Sequence, residues 1–152
     1  MRSRVSVLSV LCLLFIRVAL FAQLPEPRIE PIVGARAPAL SPDGSQIAFV
    51  YRGDIWVAPS RGGRATPITR HIAYDSSPLW SPDGKWIAFA SNRNGNWDIF
   101  AVPAQGGVPV QLTFHAQNEI PSSWSRDGRF LYYSASYDSN NPAIIELEVA
   151  TG

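Results

Sequence analysis

From residue 37 onward the apolar positions come in short bursts, too brief for the 3.6-residue helical period and separated by polar, turn-forming clusters. The bursts Gln46 to Tyr51, Trp86 to Ser91 and Phe130 to Ser134 each follow a closely similar turn: Ser41-Pro42-Asp43-Gly44, Ser81-Pro82-Asp83-Gly84 and Ser125-Arg126-Asp127-Gly128. A second burst follows in the first two units, Asp54-Ile55-Trp56-Val57-Ala58-Pro59 and Asp98-Ile99-Phe100-Ala101-Val102-Pro103. Next come a Gly pair, Gly62-Gly63 or Gly106-Gly107, and a third strand ending Ile68-Thr69-Arg70-His71 or Leu112-Thr113-Phe114-His115. The residues ahead of each turn, Pro78-Leu79-Trp80 and Pro121-Ser122-Ser123-Trp124, are strand-like as well, so each unit holds four short strands.

The spacing is 40 residues from Ser41 to Ser81 and 44 from Ser81 to Ser125. The difference has one location, where Tyr51-Arg52-Gly53-Asp54 is replaced by the longer segment Ser91 to Asp98. The third unit departs from the pattern: Arg126 replaces Pro, and Ile144 is taken to stand where Asp54 and Asp98 stood.

Pro presets φ at the second turn position, Asp bonds a nearby backbone N–H, and Gly accepts a left-handed conformation, so Asp43-Gly44, Asp83-Gly84 and Asp127-Gly128 are structural turn residues. Short antiparallel strands with such turns at this period predict an all-β fold: a partial β-propeller of about three four-stranded antiparallel blades, the third incomplete. A blade cannot bury both faces alone. Stacking is expected to place Trp80, Trp86, Phe89, Trp124 and Phe130 between neighbouring sheets, each ring removing on the order of 150–250 Å² from water.

Composition narrows the picture. A net charge of +1 and 46% hydrophobic residues fit one folded domain, and no basic run tracks phosphates, so no nucleic-acid partner is expected. Met1-Arg2-Ser3-Arg4 and the apolar run Val5 to Phe21 form a signal-peptide pattern over residues 1–22, predicted as a signal helix, with an uncleaved anchor as the alternative. Residues 23–38 read as a linker or lead-in strand and 39–152 as the repeats. The expectation is an exported chain, periplasmic or extracellular, that touches a membrane only through its signal segment. The only Cys, Cys12, lies in that segment, so the mature chain carries no disulfide or thiol chemistry.

The Ser-Pro-Asp-Gly turn, the Ile-Ala-Phe strand, the Asp-Ile-aromatic strand and the Gly-Gly turn before Leu-Thr resemble the repeats of TolB and of the propeller of tricorn-type serine peptidases, from Ala37 to Gly152. Ala73 to Pro78, Asn94 to Asp98 and His115 to Glu119 are most similar to the N-terminal propeller of exported tricorn-like peptidases. The resemblance implies a noncatalytic propeller that gates substrate or binds peptide or protein, with a downstream domain supplying a nucleophilic Ser. Alternatives are a TolB-like scaffold and the propeller of a prolyl-oligopeptidase-like hydrolase. The third unit stops short of its outer strand, so the chain is expected to be a fragment accompanied by further blades, or half of a two-subunit ring.

Successive turns of an up-and-down sheet alternate between its ends, which puts the repeated turns on one face and the variable loops on the other. The variable set holds Arg52-Gly53, Asn92 to Trp97, Tyr137 to Pro142 and the connections Ile72 to Ser77 and Ala116 to Ile120. Loops that differ between repeats are free to serve recognition, so Arg52, Tyr74, Asp75, Asn92, Arg93, Asn96, Trp97, Asn118 and Glu119 are the candidate binding residues. A tolerated loop insertion is the competing reading. His71 and His115 stand one per blade, no His-x-x-x-His or Cys pair suggests a metal, and no cofactor is expected. Asp54 and Asp98 are expected to bond backbone or hydroxyl groups at strand starts. No residue is assigned a catalytic role, since the prominent serines belong to turns rather than to a strained elbow beside a His.

Overall fold

The computed structural model describes residues 30–138 and 141–152; the predicted signal helix lies outside them. Among the described residues every regular element is a strand: β1 Arg36–Leu40, β2 Gln46–Tyr51, β3 Asp54–Pro59, β4 Thr66–Pro67, β5 Asp75–Trp80, β6 Trp86–Ser91, β7 Asp98–Pro103, β8 Val110–Gln111, β9 Glu119–Trp124, β10 Phe130–Asp138 and β11 Asn141–Glu148. They form three antiparallel sheets ordered β1-β2-β3-β4, β5-β6-β7-β8 and β9-β10-β11, with no strand exchanged between periods. First strands touch one another, β1 to β5 and β5 to β9, whereas the outer strands β4 and β8 do not meet. The sheets therefore converge on their first strands and splay outward, as slices around an axis do.

The blades are held by packing between sheet faces. Ala48, Val50, Ile55, Val57 and Ile68 of the first blade meet Trp80, Ile87, Phe89, Phe100, Val102 and Ala104 of the second in one buried cluster. Ala88 and Ile99 turn the other way and meet Leu131, Tyr133, Ala135 and Leu147 of the third blade. This is the period-2 alternation of a strand buried on both sides. Trp80 adds a polar tie, its Nε1–H donating to the Ala39 carbonyl of the preceding blade at 3.0 Å, and Trp124 repeats the arrangement toward Leu79 at 3.4 Å. Trp86 lies outside both buried clusters and is 39% exposed: it begins β6 beside the turn and lines a groove shared with Trp124, Asp127 and Val149 of the third blade. Phe130, at the equivalent position, is half-buried.

Three further expectations are corrected. The outer strands are two residues long and end before Ile68 and Leu112, because the Thr69 and Thr113 hydroxyls accept the N–H groups of Ile55 and Ile99 (2.9 and 2.8 Å) that a longer ladder would use. The residue matching Asp54 and Asp98 in the third blade is Ala143, not Ile144: Ala135 pairs with Ala143 as Tyr51 pairs with Asp54 and Ser91 with Asp98. Beyond that pair the strands stay paired out to Asp138 and Asn141 through a register shift, so the third hairpin is longer than the first two. Finally, β5 and β9 begin at Asp75 and Glu119, residues expected in connecting loops.

Candidate functional site

At the repeated-turn end, each Asp organises its own reversal. Asp43 Oδ1 accepts from the Ser41 hydroxyl at 2.7 Å and the Ser45 N–H at 3.0 Å, and Ser41 Oγ in turn accepts the Gln46 N–H at 2.9 Å. The pattern recurs at Asp83 with Ser81 and Lys85, and at Asp127 with Ser125 and Arg129. The third copy forms although Arg126 replaces Pro, so side-chain bonding and the positive φ of Gly128 (74°) suffice. These donors hold the Asp43 carboxyl down at about 2 from the ordinary 3.8, the Ser41 hydroxyl acting most strongly, and depress Asp83 and Asp127 as well. The serines of these motifs are committed to the turn.

The opposite end is assembled from the variable loops. The chain enters each new blade by donating the first N–H of its inner strand to the blade before: Asp75 N–H to the Gly53 carbonyl and Glu119 N–H to the Trp97 carbonyl, both at 2.7 Å. Asparagine side chains lock the same junctions, Asn92 Oδ1 accepting the Tyr74 N–H at 2.8 Å and Asn118 Oδ1 the Trp97 N–H at 3.1 Å. Asn96 Nδ2 lies within hydrogen-bond distance of Asp98 Oδ1, the His115 carbonyl and the Gln117 carbonyl, at 2.8, 2.8 and 3.1 Å. Asp54 Oδ1 accepts the His71 N–H at 3.1 Å, the strand-start role expected of it. Tyr74 stands edge-on to Trp97, ring centroids 6.1 Å apart, and its ring fills the space over Gly53.

Arg93, expected at the surface, is instead drawn inward. Its side chain is 14% exposed, pairs with the fully buried Asp75 at 3.1 Å, donates to Ser91 Oγ at 2.9 Å, and covers the Phe100 ring with its Cζ 4.4 Å from the centroid. Asp75 and Glu119 are themselves fully buried, so these two candidates are not surface contacts. Their first-strand position explains this: a residue that opens an inner strand sits between two blades rather than on a loop. Arg52, Tyr74 and Asn118 are exposed, while Asn92, Asn96 and Trp97 are half-buried. Ile72, from the connection expected at this end, is exposed, and so are Arg36 and Arg70, which were not expected there; the up-and-down strand order places those two once β1 and β4 are located.

Three converging antiparallel sheets, two of four strands and one of three, with short repeated turns at one end and stapled variable loops at the other, define a propeller of the TolB and tricorn type. The model for the Tricorn protease N-terminal beta propeller domain matches residues 34–152, and the chain belongs to that family. Over 78 residues it is 33% identical to the uncharacterized peptidase YuxL of Bacillus subtilis, covering 45% of this chain and 12% of that protein. Over 54 residues it is 39% identical to Tricorn protease homolog 1 of Streptomyces coelicolor, covering 36% of this chain and 5% of that protein. The crystal structure of TolB from Acinetobacter baumannii superposes with a TM-score of 0.68 at 24% identity, over 81% of this chain and 32% of that one. The chain thus spans a small part of the length of the relatives it matches.

Proposed function

We propose that these blades are the noncatalytic propeller portion of an exported tricorn-like serine peptidase, and that they gate substrate or hold a peptide or protein on the variable-loop end. The observation that carries this reading is the contrast between the two ends. At one, the Ser and Asp side chains are spent on identical turns. At the other, side-chain bonds fix the backbone of unlike loops and leave Arg52, Tyr74 and part of Trp97 facing outward on a rigid base. Chemistry is assigned to other parts of the full-length protein, and export to the basic and apolar pattern of residues 1–22.

The test is peptide binding by the protein carrying Arg52→Ala and Trp97→Ala, with strand content checked by circular dichroism. Weaker binding with unchanged folding supports the proposal; unchanged binding contradicts it. The likeness to the TolB structure supports a second reading, a scaffold that docks a protein partner without any reaction. Peptide turnover by the full-length protein separates the two, since a scaffold gives none.

A further inference from the structure

In the first two blades the exposed carboxylates Asp43 and Asp83 lie in the repeated turns, while exposed bases stand at both ends, Arg61, Arg64 and Lys85 among them at the turn end. The carboxylates of these blades at the variable end, Asp54, Asp75 and Asp98, are not exposed, and neither is Glu119, which opens the third blade beside them. Asp54 is held by the His71 N–H, Asp75 is fully buried and neutralised by Arg93, Asp98 accepts from Asn96 and Gln111, and Glu119 is fully buried. Three arginines of the first blade, Arg36 at the start of β1, Arg52 in the β2–β3 turn and Arg70 beyond β4, are exposed at that same end. Beside them stand apolar groups in water: Ile72, fully exposed, and Tyr74, 41% exposed. The surface is basic and apolar because its acids are used inside the fold.

Arg52 adds an independent signal. Tyr51 pairs with Asp54, so Arg52-Gly53 is a two-residue hairpin loop, and both residues have positive φ, 53° and 88°. Such a loop favours Asn-Gly or Gly-Gly, and a long side chain at its first position costs backbone strain. The arginine is nonetheless present, oriented over the Tyr51 ring with its Cζ 5.3 Å from the centroid, and that ring is braced edge-on by Trp56 at 5.6 Å. Ala37 and Ser77 share the positive φ, so what sets Arg52 apart is an exposed cation at the tip of a tight hairpin, held there over one ring.

We infer that the first blade's variable end, Arg36, Arg52 and Arg70 with Ile72 and Tyr74, docks an acidic protein segment that also presents apolar side chains. This rests on the variable end being the contact surface. The carboxylates of the segment replace the counter-charge that the blades keep buried, and its apolar groups cover Ile72 and Tyr74. Charge complementarity of this kind sets selectivity and encounter rate more than raw affinity.

The experiment uses the whole protein and two labelled peptides, one alternating Glu and Leu and the other Lys and Leu, followed by fluorescence anisotropy, with phosphatidylglycerol vesicles as a third probe. The Glu peptide is expected to bind selectively, to weaken as salt rises, and to lose about tenfold or more in affinity in the triple variant Arg36→Glu, Arg52→Glu, Arg70→Glu. Arg52→Asn is the complementary variant: it suits the turn better, so it raises the melting temperature while lowering affinity for the Glu peptide. Equal binding of both peptides overturns the acidic partner but leaves the contact surface standing. Binding of neither overturns both readings, and selective binding to the vesicles overturns the protein partner in favour of a lipid surface.

Discussion

Arg93 and Asp75 form an ion pair at 3.1 Å within the second blade, with the carboxylate fully buried and the guanidinium lying over Phe100. Their side chains come from the β6–β7 loop and the first residue of β5, so the pair ties the longer loop of that blade to its inner strand.

Removing one partner alone leaves a buried charge without compensation. Arg93→Met or Asp75→Leu is therefore expected to destabilise the blades by about 3–5 kcal/mol, whereas the double variant recovers much of that loss because neither charge remains. Urea unfolding of the three variants checks this. Equal stability of wild type and Arg93→Met contradicts it.

Gly53 and Gly95 both have positive φ, 88° and 106°, yet only Gly53 has a close neighbour: a Cβ there would come within 3.3 Å of the Tyr74 ring, while nothing lies near Gly95. Gly53→Ala is expected to cost more than Gly95→Ala, with the backbone part alone about 1–2 kcal/mol at each site. In a Tyr74→Ala background the difference should shrink, because the ring that crowds the new methyl is gone. Thermal melts of the single and double variants measure the coupling.

The turn aspartates give the blades a pH dependence of definite sign. Folding holds Asp43 at about 2, below the ordinary 3.8, and lowers Asp83 and Asp127 in the same direction. The unfolded chain takes up protons at these sites before the folded one does, so their contribution is complete above 3.8 and is lost as pH falls from there toward about 2. Urea midpoints measured across that range should fall with pH, and less steeply for Asp43→Asn. A midpoint independent of pH over this window would contradict the turn bonding.

Much of the fold was legible because the information is local. A Ser-x-Asp-Gly turn dictates its own reversal, and its recurrence fixed the strand pairs β2–β3 and β6–β7 to the residue. The surface was less legible because burial is decided between blades. Asp75 and Glu119 look like loop carboxylates in the chain, but the N–H bonds to Gly53 and Trp97 carry them into inner strands. Arg93 looks like a free cation until Asp75 is placed under it. Asn92, Asn96 and Asn118 look like polar contacts, whereas the fold uses them to hold Tyr74, Trp97 and the following connection. A carboxylate 21 residues after each strand-start Asp, Asp54 to Asp75 and Asp98 to Glu119, is the signal that could have marked the buried pair in advance.

Recognition by the variable end is tested most directly by hydrogen exchange of the whole protein with and without the bound Glu-Leu peptide. Slowed exchange at residues 52–53, 70–74 and 92–97, with no change at the Ser41, Ser81 and Ser125 turns, is the expected result. Protection confined to those repeated turns, or spread evenly over both ends, would contradict it.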